Sequence, residues 1–333
     1  DRRDVENYLS LLSDIDRFYS QIIEFEKQKS EAGLFMCDQA ARDVLSSCEP
    51  YLIQADHSFL SETFNTRIDA LTDLTEEEKA AYKEENLKVL TDHFIPAYQL
   101  LMDGINGLMG TGTNDKGLCW YPKGKEYYEY LVRANICSSY NTIEDLKRAM
   151  EKQMSEDLNA LGEIAASNPQ LSDSLETYSF SSSDPTEILE SLKTQITEDF
   201  PGLPQCNYTV KYVPKPLEGS LSPAFYFVPP IDQYEDNVIY INNDSRFHSE
   251  DLFPTLAHEG YPGHLYQNVY FIANNESSLR KILSFSSYTE GWATYVEHYS
   301  YTLDNGLEEN MGELLAYNNA VSLGLYALLD VYI

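Results

Sequence analysis

Cysteine is scarce in this chain of 333 residues, and the five that occur (Cys37, Cys48, Cys119, Cys137 and Cys206) form no C-x-x-C pair. Their scatter excludes a cysteine-built zinc site of the usual spacing, and the odd number leaves at least one thiol unpaired in a monomer. We read them as small core residues. Positive charge is also in short supply. Against 54 acidic residues stand 23 lysines and arginines, giving a formal net charge of -31. Nucleic acid and anionic lipid surfaces should be repelled by such a chain, and no basic cluster offsets this. No stretch is read as the ~20 apolar residues that cross a bilayer, so no membrane-spanning segment is expected. A phosphate-binding glycine loop is missing too. GLMGTG (107–112) lacks both the Lys-Ser/Thr that would follow and the strand that would precede it, and reads as a turn. There is no internal repeat and no long low-complexity tract.

What is present is a globular composition, 43% hydrophobic, long enough for one large domain or two modest ones. The first half reads as helices. Apolar residues at 5, 8, 9, 12, 15, 19 and 22 keep helical spacing, with Gly33 as a stop. Thr75 with Glu78 forms a capping-box pattern for a helix running toward Gly107 and kinked at Pro96. Thr142 with Asp145 opens another, and Asp184-Pro185 places a cap before a residue suited to a first turn. The character changes at Pro201-Gly202-Leu203-Pro204. TVKYV (209–213), AFYFV (224–228) and NVIYI (237–241) then read as three short strands. Their connections are too short for helical crossovers, so an antiparallel sheet is expected. Helices resume near residue 249; Asn305-Gly306 ends one of them. The expected fold is therefore α+β and predominantly α-helical: a helical region over 1–183, and a metal-site region over 184–333 with a small sheet beside the metal-binding helix. The two are expected to form one compact unit.

The chemistry is concentrated in HEGYPGH (258–264). His258-Glu259 opens like the H-E-x-x-H helix of zinc proteases, but Pro262 stands where the second histidine would be and His264 comes two places later. On an unbroken helix, residues six apart face about 120° away from each other and could not close on one metal. Pro262 forbids an unbroken helix, because it lacks a donor and crowds the carbonyl of His258. Gly263 adds backbone freedom. We expect a helix delivering His258 and Glu259, a break at Pro262-Gly263, and a second helix starting near His264.

A catalytic zinc needs a third protein ligand and an open position. Glu290, in YTEGWATYVEHY (288–299), is the candidate, with Glu297 two turns on along the same face as a carboxylate orienting a ligand histidine. Glu259 would sit beside the activated water as general base. A lone His-Glu pair is ordinarily a solvated helix face, and Glu290 and Glu297 alone would be surface acids. The Pro-Gly break followed by a second histidine and a Glu-bearing helix tips the balance to a single Zn2+. Tyr288, Trp292 and Tyr295 read as packing residues. His298 lies off the Glu290 face. Arg246 and His248 could line a cleft or the surface, and His57 and His93 have no partner pattern.

HEGYPGHLYQ (258–267) closely resembles the H-E-x-x-P-G-H-x-x-Q signature of the bacterial domain-of-unknown-function family 885, and TEGWATYVE (289–297) its E-G-W-A-x-Y-x-E signature. GLCWYPKGKEYYEYLV (117–132) and SPAFYFVPP (222–230) are similar to further segments of that family, so the resemblance runs along the whole chain. It implies a largely helical, often exported zinc metallopeptidase of the gluzincin kind. His258, His264 and Glu290 would be the metal ligands and Glu259 the base. Gln267 matches the last residue of the first signature and is placed for an outer contact. Members of the family continue past a D-x-x-x-H-like element, whereas this chain stops three residues after Asp330. The resemblance thus implies that a C-terminal portion lies outside it. The opening on Asp1 suggests a mature form, its targeting segment removed. The expected function is zinc-dependent hydrolysis of a peptide or small protein, with NVIYI as the strand that would hold an extended chain. The rivals are a non-catalytic zinc-containing peptide-binding protein and a metal-dependent hydrolase of another amide or an ester.

Overall fold

Helix starts follow the local signals. Thr75 Oγ1 accepts from the Glu78 amide while the Glu78 carboxylate accepts from the Thr75 amide, closing the capping box. Thr142 accepts from the Asp145 amide, and Asp184 from the amides of Thr186 and Glu187 with Pro185 in the first turn. In this computed structural model, which describes residues 1–175, 177–247 and 252–333, the chain forms two compact units, Asp1–Pro122 and Lys123–Ile333. The change of character near residue 184 falls inside the second.

The first unit is helical: α1 (Arg2–Ser13), α2 (Ile15–Glu31), α3 (Asp38–Cys48), α4 (Phe59–Ala70), α5 (Glu76–Val89) and α6 (Ile95–Leu108). The continuous helix expected over 5–22 is two helices. Asp14 ends the first at φ -106° and ψ 0° while its amide reaches back to Leu11 and Leu12. The kink expected at Pro96 is spread over a π-helical turn, Leu90–Phe94, in which the Ile95 amide bonds to the Leu90 carbonyl. The wider turn absorbs the missing donor of Pro96 without ending the helical path.

The second unit holds α7 (Gly124–Leu131), α8 (Ile143–Ser167), α9 (Leu171–Ser174) and α10 (Pro185–Gln195), then β1 (Asn207–Tyr212), β2 (Ala224–Phe227) and β3 (Asp236–Ile241). After these come α11 (Leu252–Glu259), α12 (His264–Asn274), α13 (Ser278–Ile282), α14 (Ser286–Ser300) and α15 (Met311–Tyr332). The molecule is thus a predominantly helical α+β protein with one small sheet among the described residues.

The sheet corrects one expectation. Its order is β1-β3-β2, with β2 antiparallel to β3 but β1 parallel to it. The chain reverses at β2 and again at β3, so β1 and β3 run the same way with a whole strand between them in sequence. No single crossover helix is needed. The arrangement also moves NVIYI to the centre of the sheet, where both edges are already paired and cannot take a peptide. Along β3, Asn237, Ile239 and Ile241 are buried while Val238 and Tyr240 are half-buried on the other face, the period-two pattern of a sheet covered on one side.

That covered face belongs to the principal core. Ile188, Leu189 and Leu192 of α10, Ile239 and Ile241 of β3, Phe253, Leu256 and Ala257 of α11, and Leu265 and Val269 of α12 pack together. Each large aliphatic side chain buried there contributes on the order of 1.5–3 kcal/mol. On α11 the buried positions Phe253, Leu256 and Ala257 recur at helical spacing, which turns the following residues, His258 and Glu259, toward α14 and β2. Helix α15 lies along α8. By length and composition alone it meets the minimum for crossing a bilayer, with a mean hydropathy of 1.2, a test that core helices also pass.

Candidate metal centre

The break expected in HEGYPGH is present. Helix α11 stops at Glu259, the Gly260 amide still bonding to the Leu256 carbonyl, and α12 starts at His264. The Tyr261–Pro262 bond is cis. Two features hold the connection in place. The Trp292 indole Nε1 on α14 donates to the Pro262 carbonyl at 2.8 Å. Gly263 lies so close to the end of α11 that a β-carbon there would be 1.8 Å from the His258 carbonyl oxygen and 2.3 Å from that of Ala257. Only glycine fits this approach. The sequence signal for Gly263 was backbone freedom; its physical role is lack of bulk.

The break brings the two histidines together. Their ring centroids are 4.8 Å apart with the planes at 86°. His258 Nε2 and His264 Nε2 each lie 3.6 Å from the same oxygen of Glu290. Donors about 2.0–2.1 Å from a tetrahedral zinc sit about 3.4 Å from one another, so this spacing suits one ion held by all three. The donor set, two imidazoles and a carboxylate, is also one that zinc takes.

His258, Glu259 and His264 also offer donor atoms within 4.8 Å of one another, so Glu259 competes with Glu290 for the third position. Of the two carboxylates, Glu290 is the better placed to complete such a set. One Glu259 oxygen already accepts the Tyr226 amide of β2 at 2.8 Å, whereas the Glu290 carboxylate faces both ring nitrogens and is 61% exposed, open to solvent on its far side. Burial raises the Glu259 carboxyl above the ordinary carboxylate range, partly opposed by the Tyr226 amide and by His258.

Behind His258, Nδ1 lies 3.0 Å from a Glu297 oxygen. Glu290 and Glu297 are two turns apart on α14, so one helix face presents both carboxylates to His258. Burial lowers the His258 pKa, but Glu297, Glu259 and Glu290 outweigh it and the net shift is upward. His264 goes the other way: burial, and then the neighbouring His258, hold its pKa below the usual histidine value despite Glu290.

The remaining candidates divide. Gln267 donates to the Tyr288 carbonyl at 3.3 Å, tying α12 to the turn before Glu290. His298 Nε2 is 3.5 Å from the Asn319 side-chain oxygen on α15. Arg246 pairs with Asp244 and with the Glu218 carbonyl. His57 is exposed beside Asp56, and His93 faces Asp16 at 3.2 Å. His248 lies outside the described residues. Tyr288 and Tyr295 are exposed, and Trp292 does more than pack. Two contributors went unnoticed in the sequence. Tyr226 acts through its main chain, which leaves no side-chain signature. Asn319, in an ordinary stretch of α15, donates to Glu297.

The chain matches the model of DUF885, described as bacterial protein of unknown function, over residues 1–321, and it belongs to that family. No curated protein matches it. Among solved structures it is similar to the crystal structure of the putative lipoprotein from Colwellia psychrerythraea, at 19% identity and a TM-score of 0.82. The match covers 99% of this chain and 60% of that one, so the chain spans about three fifths of that neighbour's length, and the likeness is one of fold.

Proposed function

We propose that this chain is a zinc-dependent hydrolase, and within that class a peptidase with Glu259 as general base. One observation carries the proposal: two histidine Nε2 atoms converge at 3.6 Å on one Glu290 oxygen, next to a second, half-buried carboxylate with a different anchor. A zinc ion held by His258, His264 and Glu290 would supply Lewis-acid polarisation of a carbonyl and acidify water. The chain's own groups do the rest. Glu259 keeps one oxygen on the Tyr226 amide, so the other can take the proton of an attacking water. As the water oxygen adds to the carbonyl carbon and the C–N bond breaks, Glu259 returns that proton to the departing amine nitrogen. Glu297 fixes the ring of His258 by accepting from its Nδ1.

The peptide assignment rests on β2. Its Tyr226 amide turns away from β3 to reach Glu259, so by strand alternation the carbonyls of Ala224 and Tyr226 face away from β3 too. An extended chain could bond to that edge beside Glu259. The test is cleavage of a peptide library by protein stripped with a chelator and then reloaded. Cleavage should vanish on stripping and return with zinc. Cleavage that survives complete stripping refutes metal dependence. Zinc retention without cleavage of any peptide favours the non-catalytic binder, or, if model esters or other amides are hydrolysed, a different substrate class.

That the solved neighbour is described as a putative lipoprotein supports reading this chain as exported. In fractionated source cells the protein should appear outside the cytoplasm; a purely cytosolic pool contradicts this.

A further inference from the structure

We infer that Asn319 is a positioning residue for the metal centre, acting on His258 through Glu297. The inference rests on the metal-site reading above and goes one residue beyond it. Glu297 has two oxygens, and the structure gives each a partner. Oε2 is 3.0 Å from His258 Nδ1, and Oε1 accepts from Asn319 Nδ2 at 2.9 Å. The other end of the same amide, Asn319 Oδ1, is 3.5 Å from His298 Nε2. A single side chain from α15 thus reaches two consecutive residues of α14. The Glu297 side chain is 18% exposed and that of His258 20%, so water competes weakly for these bonds.

The consequence is directional. A carboxylate free at one oxygen can rotate about its last bond and offer His258 either oxygen or neither. With Oε1 held by an amide donor, Oε2 is turned to Nδ1. That bond fixes the proton on Nδ1 and leaves Nε2, the nitrogen facing Glu290 and His264, as the free donor. Asn319 suits this task because it presents a donor to a carboxylate without adding charge. Aspartate would have nearly the same shape but would set a second anion against Glu297. The two helices also have other means of staying in place, since α15 packs along α8 and its Leu314 and Leu315 are buried near Leu171. Loss of the amide should therefore affect the site more than the fold.

The experiment is a double-mutant cycle on zinc affinity, measured by competition with a chromophoric chelator, in the parent, Asn319→Ala, Glu297→Ala and the double variant. Thermal melting of the metal-free proteins is recorded alongside. Asn319→Ala should weaken zinc binding about tenfold, the low end for removing an outer partner of a ligand, with little change in the melting of the metal-free protein. In the Glu297→Ala background the same change should cost nothing further, because the link it acts through is gone. Asn319→Asp keeps the shape and the oxygen facing His298 while removing the donor, and should weaken zinc binding at least as much. Equal losses in both backgrounds, or no loss in the parent, overturn the inference. If the parent itself binds no zinc, the metal-site reading fails, and the nitrogen-15 shifts of the neutral His258 ring in metal-free protein still decide the role of Asn319. A dominant Nδ1–H form that is lost in Asn319→Ala and Asn319→Asp supports it, and an unchanged ring contradicts it.

Discussion

Glu259→Gln should bind zinc as the parent does, fold as the parent does, and hydrolyse peptides about 10²–10⁴-fold more slowly, the usual contribution of a positioned base. Glutamine keeps the length of the side chain, and its carbonyl oxygen can still accept the Tyr226 amide that anchors Glu259 at 2.8 Å. What it loses is the ability to take a proton. Glu259 suits the role because its burial raises its pKa, which strengthens it as a base. Glu290→Gln should behave in the opposite way, weakening metal binding by removal of an anionic ligand. Steady-state hydrolysis measured next to metal content separates the two. A Glu259→Gln variant that cleaves at the parental rate is not compatible with Glu259 as the base; one that loses zinc while Glu290→Gln keeps it would exchange their roles.

Gly263→Ala should be the most damaging small substitution in the site. The added carbon would meet two main-chain oxygens, those of His258 and Ala257, at 1.8 and 2.3 Å, and main chain at a helix end cannot swing aside as a flexible side chain can. Overpacking ordinarily costs about 1–3 kcal/mol and occasionally more. Here relief requires moving α12 relative to α11, which separates His264 from His258. The variant should lose at least about 3 kcal/mol of stability, or else fold with the histidines apart and bind no zinc. Denaturant unfolding and metal content together report either outcome. Gly291→Ala is the matched control, because nothing lies within 4 Å of a β-carbon there. A Gly263→Ala protein with parental stability and full zinc content would mean that the close approach is not real.

These features were unequally legible in the sequence. Thr75, Thr142 and Asp184 announced their helices because a cap is a contact between residues two or three apart, and the structure makes each of those bonds. The break at Pro262-Gly263 was legible for a similar reason: the chemistry of proline is local. The parallel pairing of β1 with β3 was not, since pairing is decided by packing on α10 and α11, and strand patterns look alike in either direction. Nor was the end of α1 at Asp14, where apolar spacing continues without a proline or glycine to mark the turn. Of the candidate residues, Glu290 and Glu297 were visible because helical spacing puts them on one face, and His258, Glu259 and His264 because they flank the Pro-Gly break. Tyr226 and Asn319 were not, because one contributes only its amide and the other arrives on a separate helix.

Metal content by elemental analysis of the parent, His264→Ala and His57→Ala, after equilibration with zinc and exhaustive dialysis, tests the central claim most directly. The ring of His264 lies 3.6 Å from Glu290, while His57 is exposed beside Asp56, in the other unit. One zinc per chain in the parent and in His57→Ala, with a sharp loss in His264→Ala, is the predicted result. Equal zinc in all three proteins, or none in the parent, would contradict the account.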